Sequence, residues 1–135
     1  MKPEKLVALA VKARENSYCP YSGFAVGAAL ECADGTVYTG CNIENAAFGP
    51  TVCAERTAVF KAVSEGRREF RALAVVGGKA DGSVSSECPP CGVCRQVLRE
   101  FCGDDFPVYL SDGKTVRTIR LLELLPESFR AEALK

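Results

Sequence analysis

The chain is predicted to adopt an α/β fold with a layered sheet, and two features of its 135 residues indicate this. Phe24 to Ala33 is apolar nearly throughout, as expected of a strand buried on both faces, and Asp34-Gly35 turns it into a second strand. After this hairpin, strand-like apolar runs alternate with segments of helical periodicity. A hairpin followed by such alternation predicts helices packed against a sheet.

The first half of the chain contains two helices around the hairpin. Apolar residues at helical spacing predict the first helix over residues 3–16, and a loop rich in polar residues, proline and glycine follows it. The returning strand of the hairpin is predicted over residues 36–43. The second helix is expected to begin beside Thr51, its N-cap, and to run to about Glu65, where Gly66 ends it.

The second half continues the alternation and brings the predicted strands to five. The expected strands are 70–77, 107–110 and 115–119, and the expected helices are 91–101 and 121–125. Residues 127–135 form a mostly polar tail. The length suits one domain, so we expect a single domain over residues 1–135.

Charge and hydrophobicity favour a small ligand. The 17 basic and 17 acidic residues balance, and no Lys/Arg run exceeds two. Polynucleotide-binding surfaces usually show a basic patch, so nucleic acid is not an expected partner. No stretch reaches the roughly 18 apolar residues of a membrane span, and residues 1–5 lack the apolar core of a signal peptide. We therefore expect no membrane partner.

Cysteine is abundant and histidine is absent. Eight cysteines would suit a disulfide framework in a small secreted chain, but this chain is longer and richer in core residues than such frameworks. Reduced thiols and a cytoplasmic location are the better interpretation. Without histidine, any metal site must use Cys, Asp or Glu, and no mechanism with a histidine base is available.

Two short stretches look like halves of one zinc site. In Pro89-Pro90-Cys91-Gly92-Val93-Cys94, the two thiols lie three apart at a helix start and share one face. Thr51-Val52-Cys53-Ala54-Glu55 supplies a third thiol and a carboxylate at another helix start. Three cysteine ligands leave the fourth zinc position open, which is typical of a catalytic site. Glu55 is expected beside that open position.

Other interpretations of these residues stay open from spacing alone. The three cysteines are alternatively buried free thiols, and Glu55 is alternatively a helix-start carboxylate that suits the dipole. Cys88, three residues before Cys91, is a possible fourth thiolate that would close the site into a non-enzymatic zinc module.

Five segments resemble the small homotetrameric zinc-dependent cytidine deaminases. They are Ala25 to Leu30, Gly40 to Ala46, Cys53 to Ala58, Pro90 to Gln96 and Glu123 to Pro126. The segments span most of the chain in order. The resemblance implies a three-layer α-β-α sandwich around a five-stranded mixed sheet. It also implies one Zn²⁺ per subunit and hydrolysis of cytidine and 2′-deoxycytidine to the uridines, with release of ammonia, in pyrimidine salvage.

The resemblance also implies residue roles. Cys53, Cys91 and Cys94 match the zinc ligands, and Glu55 matches the proton shuttle. The positions that match substrate contacts are Phe24, Asn42, Glu44, Ala46, Phe48, Ala54 and Phe129. In the tetrameric family neighbouring subunits complete each pocket, and Ala46, Phe48 and Phe129 are the candidates for that role. Arg56 is expected to donate to the ligand sulfurs, and whether Arg95 does so stays open.

Two departures and two rival activities accompany this resemblance. Phe48 stands where many relatives carry tyrosine, so a hydroxyl is missing there, and Cys88 has no counterpart among the family ligands. A deaminase of a cytosine-bearing antibiotic such as blasticidin S has similar motifs, but Asn42-Ile43-Glu44-Asn45 disfavours it. A polynucleotide deaminase is a further alternative, which the neutral charge balance weakens.

Overall fold

Five strands form a single mixed sheet in the order β2-β1-β3-β4-β5 in the computed structural model, which describes all 135 residues. β1 pairs antiparallel with both β2 and β3, β3 and β4 are parallel, and β4 and β5 are antiparallel. The strands are β1 Phe24–Cys32, β2 Val37–Cys41, β3 Phe70–Lys79, β4 Pro107–Ser111 and β5 Val116–Arg120. The predicted five-stranded mixed sheet is confirmed.

Four α-helices accompany the sheet. They are α1 Pro3–Ala13, α2 Ala54–Ser64, α3 Gly92–Phe101 and α4 Leu121–Leu124. A 3₁₀ turn, Arg14–Asn16, extends α1, and a second one, Ala131–Leu134, lies in the C-terminal tail. Because α3 connects the parallel strands β3 and β4, the second half of the chain forms a β-α-β crossover.

The helices cover both faces of the sheet. On one face α1 packs Leu6 and Ala10 into a small cluster with the alanine and valine side chains of β1 and β3. On the other face α2 and α3 build a larger core around Leu30, Leu73 and Leu98. Alternate residues of β3 serve the two clusters, so the predicted three-layer arrangement is confirmed.

Two glycines allow helices to lie directly on the sheet. A Cβ atom at Gly27 of β1 would collide with the backbone carbonyl of Ala10 in α1. A Cβ at Gly40 of β2 would collide with the Ala54 carbonyl and lie 2.6 Å from the Ala58 nitrogen, both in α2. The backbone of the first turn of α2 therefore lies in direct contact with the backbone of β2. This contact fixes the direction in which the side chains of α2 point.

The start of α2 differs from the prediction. Cys53, with extended backbone angles of φ −76° and ψ 158°, is the residue before the first helical turn, so Thr51 as N-cap was wrong. The Thr51 hydroxyl instead accepts the Asn45 backbone N–H at 3.1 Å and closes the loop before the helix. Other predicted boundaries agree to within about three residues, as expected for helix and strand ends. No helix is both long and apolar enough to cross a membrane.

Candidate active site

A cavity of about 300 Å³ opens where the entry to β1, the exit from β2 and the first turns of α2 and α3 meet. Loop residues and the first residues of helices form most of the cavity wall. The sheet behind them is a rigid support. The lining residues are Ser22, Phe24, Val26, Asn42, Glu44, Thr51, Val52, Cys53, Ala54, Glu55, Cys88, Pro89 and Cys91.

Three thiols meet at the base of this region. Cys53 and Cys91 each precede the first turn of a helix, and Cys94 lies buried in the first turn of α3. The Cys91 sulfur is 3.6 Å from the Cys53 sulfur and 3.6 Å from the Cys94 sulfur, and all three lie within 4.8 Å of one another. A tetrahedral zinc with Zn–S bonds of about 2.3 Å needs sulfurs about 3.8 Å apart. The three thiols therefore fit a zinc ion.

Positive charge surrounds the sulfurs. The Arg56 guanidinium donates to the Cys53 sulfur at 3.4 Å, as expected from the sequence. Hydrogen bonds from the Cys94 thiol and from Arg56 lower the pKa of Cys53 to about 5, against the effect of burial. The positive ends of the α2 and α3 dipoles act in the same direction. These contacts thus stabilise the thiolate of Cys53, whereas the same hydrogen bond raises the pKa of the Cys94 thiol that donates it. Thiolate is the form that binds metal.

Arg95, whose role stayed open, does not donate to a sulfur in this way. Its Nε donates to the Pro90 carbonyl at 2.7 Å and its Nη1 to the Leu124 carbonyl at 2.7 Å. These bonds tie the loop before α3 to the end of α4, so Arg95 serves the fold around the site.

Glu55 is the one carboxylate buried beside the thiols. It lies in the first turn of α2, only 3% of its surface is exposed, and its Oε1 has no hydrogen-bond partner. Burial raises the pKa of the Glu55 carboxyl to about 7. Because a buried carboxylate oxygen without a partner is destabilising, the unpartnered Oε1 indicates a group held ready for a ligand in the cavity.

Four of the predicted substrate contacts line the cavity: Phe24, Asn42, Glu44 and Ala54. The Asn42 side chain also bonds β1, since its Oδ1 accepts the Val26 N–H at 2.9 Å and its Nδ2 donates to the Phe24 carbonyl at 2.8 Å. Glu44 accepts the backbone N–H groups of Tyr21 and Ser22 at 2.9 and 3.1 Å. Both polar groups are therefore held in place before any ligand arrives.

The other three predicted contacts lie outside the lining of this chain's cavity. Phe48 is 72% exposed, has a positive φ of 49°, and packs edge-on against Tyr21 with ring centroids 6.2 Å apart. Phe129 is 59% exposed on the C-terminal tail. Ala46 lies in the exposed turn after β2.

Cys88 lines the cavity, but its sulfur is not part of the three-thiol cluster. Burial raises the pKa of the Cys88 thiol to about 11, so it differs from the activated Cys53. The four-thiolate closed site is therefore not formed. Sequence reasoning missed Ser22, Val26 and Pro89 as lining residues, because their polarity and spacing carry no signal of a pocket.

Comparison with known proteins supports the interpretation of this geometry. A family described as "Cytidine and deoxycytidylate deaminase zinc-binding region" matches residues 1–110. The chain belongs to this family. A protein named cytidine deaminase from Sporosarcina psychrophila is 55% identical over 135 residues, covering 99% of this chain and 96% of the relative.

A solved structure and a more distant relative extend the comparison. The crystal structure of cytidine deaminase from Burkholderia pseudomallei superimposes with a TM-score of 0.86 at 45% identity, covering 96% of this chain and 100% of that one. A protein named blasticidin-S deaminase from Bacillus cereus is 33% identical over 104 residues, which are 75% of this chain and 74% of the relative. Over 96% of its length the chain thus shares the fold of that cytidine deaminase.

Proposed function

We propose that the protein is a zinc-dependent hydrolase that deaminates cytidine and 2′-deoxycytidine within a single domain of residues 1–135. The observation that carries this proposal is the buried Glu55 carboxylate, whose Oε1 has no hydrogen-bond partner, beside the cluster of Cys53, Cys91 and Cys94 thiols at one cavity. The family membership and the similarity to proteins named cytidine deaminase support it. One Zn²⁺ per subunit is expected.

The metal and the chain contribute different parts of the chemistry. A zinc ion on the three thiolates supplies Lewis acidity, which makes water a better nucleophile near neutral pH. Three thiolates alone would weaken this effect by their negative charge. Arg56, through its hydrogen bond to Cys53, and the two helix dipoles offset part of that charge.

Glu55 is proposed to move the protons. Its carboxylate accepts a proton from the attacking water, whose oxygen forms a bond to C4 of the cytosine ring. Glu55 returns this proton to N3. It then takes the second proton of the former water from the C4 hydroxyl and delivers it to the amino group, so that the C4–N bond breaks as the C4 carbonyl forms and ammonia leaves. Its pKa, raised by burial, lies near the pH at which the carboxyl must both accept and donate.

The substrate contacts stay predictions, and the geometry supports four of them. Phe24 presents an aromatic ring at the cavity wall, against which a pyrimidine can pack. Glu44 and Asn42 lie at the exit from β2 and offer acceptor and donor groups suited to ribose hydroxyls. The Ala54 backbone at the start of α2 is proposed to face the base.

We propose that the cavity is completed in a homotetramer in the cytoplasm. Tyr21, Ile43 and Phe48 are large apolar side chains that are exposed in the single chain. Such exposure is typical of a protein–protein contact. Tyr21 and Phe48 line a second pocket, which shares Ser22 and Glu44 with the cavity. Ala46, Phe48 and Phe129 are then proposed to act in the pockets of neighbouring subunits, where Phe48 contacts without the hydroxyl of tyrosine.

The first test is the ultraviolet absorbance change of cytidine on incubation with purified protein, with Glu55→Gln beside it and zinc measured in both. We expect zinc in both proteins and cytidine loss in the wild type alone. Zinc in both without any cytidine loss would refute the proposed reaction.

The antibiotic deaminase is kept as a second candidate because of the blasticidin-S deaminase relative. Turnover of cytidine and blasticidin S is compared under identical conditions. We expect cytidine to be the better substrate, and turnover of blasticidin S alone would reverse the assignment. Cys88→Ser, in the same assays, is expected to retain zinc and activity, since its sulfur lies outside the cluster.

A further inference from the structure

Helix α3 contacts two functional parts of the chain. Its start carries Cys91 and Cys94, while the polar side chains that follow bind the C-terminal segment. Arg95 donates to the Leu124 carbonyl at 2.7 Å, and Gln96 donates through Nε2 to the Phe129 carbonyl at 3.0 Å. The segment after α4 is therefore attached to the helix that holds two of the thiols.

A second attachment is ionic. The Arg99 side chain, only 1% exposed, donates through Nη1 to Oδ1 of Asp104 at 2.9 Å. Arg130 of the tail donates through Nη2 to the same oxygen at 2.6 Å. Chiefly because of Arg130, the pKa of the Asp104 carboxyl is held below its usual range. We call Arg99, Asp104 and Arg130 the Asp104 cluster.

Few other contacts could replace those of the Asp104 cluster. Arg99 forms its only salt bridge with Asp104, and its Nε and Nη2 are buried without hydrogen-bond partners. The tail joins no strand, and its one regular element is the 3₁₀ turn Ala131–Leu134. Without Asp104, the tail would keep Gln96 as its one side-chain anchor near Phe129. Asp104 therefore supplies one of the two side-chain anchors that order that short segment.

Phe129 immediately precedes Arg130 and is exposed to solvent while its carbonyl is bound by Gln96. It does not line the cavity of its own chain, so the substrate contact proposed for it would be made in another copy. We infer that the Asp104 cluster positions Phe129 for the pocket of a neighbouring subunit. This inference rests on the homotetramer and on the role of Phe129 proposed above.

The decisive comparison is Asp104→Asn against Asp105→Asn. Asp105 is the adjacent residue, its side chain is 89% exposed, and it binds Arg120 instead of the tail. Loss of the restraint on one aromatic side chain weakens binding roughly 2- to 10-fold. Asp104→Asn should therefore raise KM for cytidine by that factor. We expect kcat, zinc content and oligomeric state to stay unchanged, and Asp105→Asn to match the wild type in all of them.

A second variant and a second background make the result conclusive. Arg130→Gln removes the tail partner, which is 41% exposed, and leaves the buried Arg99–Asp104 pair intact, so it tests the same link if Asp104→Asn does not fold. In a Phe129→Ala background, Asp104→Asn or Arg130→Gln should change KM no further, because both act through that ring.

The outcomes distinguish a failure of this inference from a failure of the proposed function. Unchanged KM in Asp104→Asn and Arg130→Gln, or an effect that persists in the Phe129→Ala background, would overturn the positioning role. A rise in KM that occurs only with loss of the oligomer would also overturn it, because the cluster would then act in assembly. A wild type inactive on cytidine would instead refute the proposed function.

Discussion

Helices α2 and α3 begin in the same way and then differ. Each is preceded by a cysteine with extended backbone, Cys53 or Cys91, whose side chain makes no capping hydrogen bond. After that point α2 buries five of its eleven residues and directs Glu55 into the cavity, whereas α3 buries Cys94, Leu98 and Arg99 and exposes a polar side. The two halves of the metal site thus stand on helices of different character.

The arginines that follow the metal-site residues show what this difference means. Arg56 of α2 reaches a sulfur, and Arg95 of α3 reaches two backbone carbonyls. Helix α2 carries the buried carboxylate and the arginine that reaches a sulfur, whereas α3 carries two of the thiols and joins the metal site to the rest of the chain. Each of the following changes tests whether that separation holds.

The largest effect is expected from the thiols, which the two helices share. Cys53→Ser or Cys94→Ser should reduce zinc to background, and activity should be lost with it, because the Lewis acid contributes several kcal/mol to catalysis. Zinc content by elemental analysis and cytidine turnover are measured together. Cys19→Ser, outside the cluster, is the matched control and should keep both. Full zinc retention in either ligand variant would remove that cysteine from the site.

Glu55→Gln should separate catalysis from metal binding on α2. We expect turnover to fall by about 10²- to 10⁴-fold, the usual contribution of a positioned proton shuttle, with zinc unchanged. Replacing a buried carboxylate whose Oε1 lacks a partner should not lower the melting temperature. A variant that loses zinc or stability as well would show that Glu55 is structural.

Arg56→Gln and Arg95→Gln compare the two helices directly. Removing the donor to the Cys53 sulfur should lower kcat or zinc affinity about 10- to 100-fold, as loss of a group that supports a ligand usually does. Arg95→Gln should mainly lower the melting temperature, since it leaves two carbonyls without their donor. The reverse pattern would contradict the division between α2 and α3.

The smallest effect concerns how closely the start of each helix packs against its neighbours. Gly40→Ala places a methyl group against the backbone of α2 and should cost about 1–3 kcal/mol of unfolding free energy. Gly92→Ala, at the start of α3, meets open space and should be neutral or stabilising by up to about 1 kcal/mol. Chemical denaturation measures both. Equal losses would mean that α2 has room to shift.

Local patterns predicted most of the fold and the core of the site. The spacing of Cys91 and Cys94 was informative because three residues bring side chains together on a helix, and the apolar run of β1 was informative because both its faces are buried. Thr51 was mistaken for an N-cap since its residue type favours that position, while the helix starts three residues later.

Contacts between distant parts of the chain left no comparable signal. The bonds from Arg95 to Leu124 and from Arg99 to Asp104 depend on where the end of α4 and the β4 entry lie in space. Phe48 and Phe129 are likewise exposed, although their apolar residue type alone favours burial. The roles of the predicted substrate contacts therefore stay predictions.

The small residues beneath the helices have a consequence for how new specificities can arise. Ala28 and Gly40 stand opposite each other on β1 and β2, and a Cβ at Gly40 would strike the α2 backbone. Because main-chain contact sets the distance between helix and sheet, that distance can hardly change. Repacking the core therefore cannot widen the pocket. Natural variation or laboratory engineering of substrate range must instead act on the loops, such as Tyr21–Phe24 and Cys88–Cys91, where a change leaves the sheet undisturbed.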